Sequence, residues 1–313
     1  MAPEPVLEAQ GLTKHFGDVR AVDNLQFSLN KGELFGLVGP DGAGKTTTIR
    51  MLCGIIKPTS GSAQIMGYDL RKDMAQIKKH IGYLSQRFTL YGDLTVDENI
   101  EFFAEIHQVK NYDNRREELL EFTRLRPFRW RLAENLSGGM KRKLALACTL
   151  IHTPDLLLLD EPTTGVDPLS RRDFWKILFR LLQAGITIIM TTPYLDEAER
   201  ASRVALMSKG RLAVIDTPQK VKSMMKGSIV ELVCDDIRKA SETAKGMAEV
   251  TEVQTFGDRL QLVIENMEKD FPKMRRRLLD RGIQIVQWRQ VPPSLENVFI
   301  SLTRESGWDK DHG

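Results

Sequence analysis

The chain has 313 residues, 42% hydrophobic and 28% charged, with 45 basic against 42 acidic side chains and a formal net charge of +3. That suits a full globular core with room for a second domain, and the scattered charges exclude a basic tract for nucleic acid. Cys53, Cys148 and Cys234 share no CxxC or Cys/His spacing, which excludes a disulfide framework or a zinc site and fits a reduced cytosol.

The opening MAPEPVLEAQ lacks the basic and apolar regions of a secretion signal, and no apolar run nears the roughly 20 residues of a spanning helix. The chain is not expected to cross a membrane itself. VLEAQGLTKHF and AVDNLQFSLN alternate apolar and polar residues, predicting short antiparallel strands at a sheet edge. ELFGLVG then runs into a glycine-rich turn, and KTTTIRMLCGI follows with helical spacing. From Leu94 to about Leu150 the pattern is mostly helical, with Thr95 and Glu98 offering a capped, acidic first turn. LLLLD (156–160), a helix over 169–184, ITIIMTT (186–192) and VALMS (204–208) predict a buried parallel sheet. Beyond about Ser228 the order is strand, helix, strand, strand, helix, strand, closed by the amphipathic helix SLENVFISL.

Gly39-Pro40-Asp41-Gly42-Ala43-Gly44-Lys45-Thr46 fits G-x-x-x-x-G-K-[ST], whose glycines let backbone N–H groups wrap phosphates while the following helix adds its positive end. Lys45 is expected to reach the β and γ phosphates, and Thr46 to offer its hydroxyl to Mg²⁺. The apolar strand 156–160 ends in Asp160 and Glu161. Such an end is also what a solvated strand edge gives, but beside a phosphate loop Asp160 reads as a Mg²⁺ ligand through water and Glu161 as the base for an attacking water. Between these motifs lies Leu136-Ser137-Gly138-Gly139-Met140. Alone it reads as a capped helix start whose glycines open N–H groups to an anion.

The order of phosphate loop, LSGGM, LLLLDEP and Thr164-Gly165-Val166-Asp167 resembles the ATP-binding cassette (ABC) superfamily over residues 6 to about 220. The resemblance implies a P-loop NTPase fold of the ABC ATPase type, α/β with an antiparallel β edge subdomain and a helical subdomain. It assigns residues 6–222 to the ATP-binding domain, about 87–152 to the helical part and 226–303 to a small C-terminal α+β domain. It implies that ATP and Mg²⁺ bind, that Phe16 stacks on adenine, that Thr47 belongs to the phosphate loop and that Gln86 contacts Mg²⁺ and senses the γ-phosphate. Asp167 would lie in a loop crossing to a second subunit, and Ser137, Gly138 and Gly139 would act in trans on ATP sandwiched in a dimer. Without the resemblance, Phe16 also reads as a core or edge-strand aromatic and Gln86 as a solvated amide.

One position departs from the family pattern. A histidine normally follows the strand matching ITIIMTT, and here Pro193 stands there, with neither a side-chain donor nor an N–H. Hydrolysis is then either weakened, in an asymmetric dimer with a histidine-bearing second ATPase, or served by a hydroxyl of Thr192 or Tyr194. The tail PPSLENVFISLT looks like that of ATP-binding subunits of ABC-2-type exporters, including drug-resistance exporters. The expected partners are therefore integral-membrane transporter subunits and a second ABC subunit, identical or different, at the inner face of the cell membrane. Nucleic acid is not an expected partner.

Overall fold

The computed structural model describes residues 5–87 and 90–305, so residues 88 and 89 of the expected helical insert lie outside the described residues. The chain divides between Pro218 and Gln219 into two compact units.

In the first unit, β1 (Leu7–Phe16) and β2 (Val19–Leu29) pair antiparallel. A buried β3 (Leu34–Val38) leads through the glycine loop to α1 (Lys45–Leu52). The chain returns as β4 (Ser60–Ile65) and β5 (Tyr68–Asp69), giving an edge sheet of order β2-β1-β4-β5, then α2 (Met74–His80) and β6 (Ile81–Leu84). The helical part follows as α3 (Val96–Ile106), α4 (Asp113–Thr123), two 3-10 turns and α5 (Gly138–Leu150). Helix α3 starts where the sequence marks it, because Thr95 accepts from Glu98 N at 3.2 Å while Thr95 N donates to Glu98 Oε2 at 2.8 Å.

The central sheet is completed by β7 (Leu156–Asp160), β8 (Thr187–Thr192), β9 (Arg203–Ser208) and β10 (Arg211–Asp216), with α6 (Pro168–Gln183) and α7 (Leu195–Ala198) between strands. Its order is β10-β9-β3-β8-β7-β6, parallel except for β10. All residues of β3, β7 and β8 are buried, as strands covered on both faces require. The parallel register sets Val38 beside Thr192 and Asp160 beside Thr191, so the C-terminal ends of β3, β7 and β8 open on one edge, where open α/β sheets bind ligands.

After α8 (Pro218–Ser223), the second unit runs β11 (Ser228–Cys234), α9 (Ile237–Lys245), β12 (Val250–Phe256), β13 (Arg259–Ile264), α10 (Met267–Asp280), β14 (Ile285–Val291) and α11 (Leu295–Glu305). Its antiparallel sheet has order β12-β13-β11-β14. Val230, Leu232, Leu260 and Leu262 from the strands join Ala240, Phe271, Met274 and Leu278 from the helices in its own core.

Candidate active site

Steric detail explains the loop between β3 and α1. A Cβ on Gly39 would stand 2.0 Å from Met207 O, and one on Gly44 2.5 Å from Ala21 O; Gly42 and Gly44 also take φ of 77° and 104°. The backbone can therefore curl tightly at the start of α1, a geometry that lets loop N–H groups wrap an anion. Lys45 is buried. Its Nζ donates to Gly39 O at 2.8 Å and Pro40 O at 3.0 Å and lies 3.4 Å from Glu161 Oε1.

The strand register supplies the opposite wall. Asp160 Oδ1 accepts from Thr191 Oγ1 at 2.7 Å and from Thr46 Oγ1 at 3.0 Å. Its Oδ2 is buried and has no hydrogen-bond partner among the described residues. Glu161, also buried, adopts φ 46°, a left-handed conformation uncommon outside glycine, and its N–H donates to Thr191 Oγ1 at 2.9 Å. Glu161 Oε2 accepts from Gln86 Nε2 at 3.0 Å and from Thr164 Oγ1 at 3.3 Å. Glu161 thus faces the Lys45 ammonium, and the orphaned Asp160 Oδ2 calls for a cation.

Asp41 to Thr47, Gln86, Glu161, Thr164, Pro193 and Tyr194 line one open pocket of about 440 Å³, and Asp160 is bonded to Thr46 of that wall. Gln86 is exposed, and its amide is engaged on Glu161. Phe16 is not a core aromatic, being 49% exposed at the end of β1. Ser137, Gly138 and Gly139 are not part of this wall. Ser137 caps α5, accepting from Met140 N at 3.3 Å. Gly138 has open space where a Cβ would stand, whereas one on Gly139 would meet Ser170 Oγ at 2.3 Å. Asp167 caps α6 through Leu169 N and Ser170 N, and the bonds from Ser170 hold its carboxyl below the usual range. Buried Arg142 of α5 donates to the carbonyls of Gln86 and Thr164, both at 3.4 Å, tying the LSGGM helix to the two groups that hold Glu161.

Thr192 is not free to serve the site. Its hydroxyl donates to Glu197 Oε2 at 2.9 Å and accepts from Tyr194 N at 3.0 Å. Buried Glu197 also accepts from Thr163 Oγ1 at 2.8 Å and pairs with Arg171 Nε. Sequence reasoning missed Thr164, Thr191 and Glu197. The offset of three from Glu161 could have marked Thr164; Thr191 and Glu197 acquire partners only through strand register and loop packing.

The family model described as "ABC transporter" matches residues 22–164, and that for the "ATP-binding protein DrrA1-3-like, C-terminal domain" matches residues 217–303. The linearmycin resistance ATP-binding protein LnrL of Bacillus subtilis is 33% identical over 305 residues, covering 95% of this chain and 98% of the relative. The chain belongs to the ABC transporter family. It carries the cassette domain and a DrrA-like C-terminal domain. The ABC protein YbhF of Escherichia coli K12, named a probable multidrug transporter ATP-binding protein, is 43% identical over 222 residues. That match takes in 70% of this chain, but the chain spans only 38% of YbhF. A solved ATP-binding subunit of an ABC transporter superposes with a TM-score of 0.64 at 27% identity, covering 70% of this chain and 92% of that one. No helix among the described residues is long and apolar enough to cross a membrane.

Proposed function

We propose that this chain binds and hydrolyses Mg²⁺-ATP to power an ABC-type exporter, closing as a dimer on ATP and reopening after hydrolysis. The observation that carries this is the meeting, in one pocket, of the phosphate loop and a Glu161 carboxylate held by Gln86, with Asp160 bonded to Thr46 of that loop and keeping one buried oxygen without a partner among the described residues. Residues 6–222 act as the ATP-binding domain and 226–303 as an accessory domain in this reading. Backbone N–H groups of residues 39–47 bind the phosphates, and Lys45 exchanges its carbonyl and Glu161 partners for β and γ oxygens. Thr46, Asp160 and Gln86 would hold Mg²⁺, for which oxygen donors are the right chemistry; when bound it offsets phosphate charge. Glu161 accepts a proton from water as the water oxygen attacks the γ-phosphorus and the bond to the β–γ bridging oxygen breaks, releasing ADP and phosphate. Phe16, exposed at the end of β1, stacks on adenine in this reading.

Ser137, Gly138 and Gly139 face ATP held by a second subunit, with Asp167 in the crossing loop. Glu161→Gln is expected to run as a monomer without nucleotide and as a dimer with Mg²⁺-ATP in size-exclusion chromatography with light scattering. Adding Gly138→Asp, which has room within its own subunit, is expected to keep the species monomeric. A dimer insensitive to both ATP and Gly138→Asp contradicts the sandwich.

The partners in this reading are integral-membrane subunits at the inner face of the cell membrane and a second ABC subunit. A second reading, weakened hydrolysis beside a histidine-bearing subunit, is favoured by Pro193 on the pocket wall, since losing one donor to developing charge costs about 10² to 10³ in rate.

A further inference from the structure

Pro193 leaves the γ-phosphate side of the pocket without the donor this position normally supplies, and Thr192 cannot replace it because its hydroxyl is engaged on both sides. The next residue differs. Tyr194 lies on the wall of the same pocket as the phosphate loop, Gln86 and Glu161, is 38% exposed, and its hydroxyl has no hydrogen-bond partner among the described residues.

The Tyr194 ring is also held in place. The Arg171 guanidinium carbon lies 4.9 Å from the ring centroid, and the same side chain pairs with buried Glu197. Glu197 is fixed in turn by Thr163, three residues past Asp160, and by Thr192, while Tyr194 N–H donates to Thr192. A buried carboxylate thus joins α6, the segment after β7 and the end of β8, and clamps the base of Tyr194. An ordered phenol on the wall of an anion-binding pocket is a preformed donor, which costs no reorganisation when a phosphate arrives.

We propose that Tyr194 is a catalytic residue that donates its phenolic hydrogen to a γ-phosphate oxygen, taking over the contact that Pro193 cannot make, with Arg171 and Glu197 as positioning residues. The inference rests on the ATPase reading above. No bond is made or broken at Tyr194; it supplies one hydrogen bond that strengthens as charge develops on the transferring group.

Tyr194→Phe removes only the hydroxyl and keeps the ring against Arg171, so its effect separates donation from packing. With the full chain and Mg²⁺, Tyr194→Phe is expected to lower kcat at least tenfold and to raise KM for ATP in step with weaker ATP binding, and Pro193→His in the Tyr194→Phe background to restore most of the loss. Equilibrium binding gives a readout independent of turnover: the preference for ATP over ADP should fall about tenfold in Tyr194→Phe, as for a lost hydrogen bond to a charged group. Unchanged kcat with an unchanged ATP-to-ADP preference overturns the assignment while leaving the ATPase reading intact. Wild-type turnover that survives Glu161→Gln sinks the ATPase reading instead, and the binding comparison still decides for or against Tyr194.

Discussion

Glu161 carries the largest burden of any residue, because it is buried, charged and folded with φ 46° at once. A left-handed conformation costs a non-glycine residue roughly 1–2 kcal/mol, a strain met where surrounding contacts over-determine the geometry. Thr191 is such a contact, taking the Glu161 N–H while donating to Asp160. The phosphate loop and the two carboxylates were legible because each motif is local, and side-chain types at fixed offsets state its chemistry. Thr191 and Glu197 were not, since their roles come from residues some 30 positions away brought near by sheet register. Gly39 tests how far steric fit governs the loop. Gly39→Ala puts a methyl group 2.0 Å from Met207 O and is expected to lower the unfolding free energy in urea by more than about 3 kcal/mol and to abolish ATP binding; wild-type stability would refute the steric account.

Elements with strong local signals, such as β3, β7, α3 and α6, are legible in the sequence, and so is the strand and helix order of the second unit. The hairpin to β10 was missed because its turn uses Lys209 at φ 46° before Gly210, where Asn or Asp before glycine is the recognisable signal. Strands β4 and β5 also went unread, being short and mostly polar, and α2 carries only one buried residue to mark its period. The end of α5 makes a prediction of its own. His152, just past α5, stacks on His107 with ring centroids 3.9 Å apart and donates from Nε2 to Ile81 O at 2.9 Å. Burial, with a smaller contribution from His107, pushes its pKa down from 6.5 to about 4. The unfolded chain therefore binds a proton first as pH falls, so this contribution is fully present above about 6.5, is lost progressively between 6.5 and 4, and levels off below. Urea midpoints should drop from pH 7 to pH 5, and His152→Leu should flatten that slope; an equal slope in the variant contradicts the assignment.

At the scale of the whole molecule, the LSGGM helix start lies away from the wall of the pocket that the glycine loop lines. In the proposed sandwich, two such subunits would close these two parts on ATP. Arg142 ties α5 directly to the carbonyls of Gln86 and Thr164, so in the proposed closure a shift of α5 would reach them. Nothing in the pocket chooses a transported molecule, and fold alone does not supply that choice. Steady-state Mg²⁺-ATPase activity of the wild-type chain beside Glu161→Gln and Pro193→His tests the central claim most directly. The account predicts turnover that Glu161→Gln abolishes and that Pro193→His changes little while Tyr194 is present; turnover that persists in Glu161→Gln would contradict it.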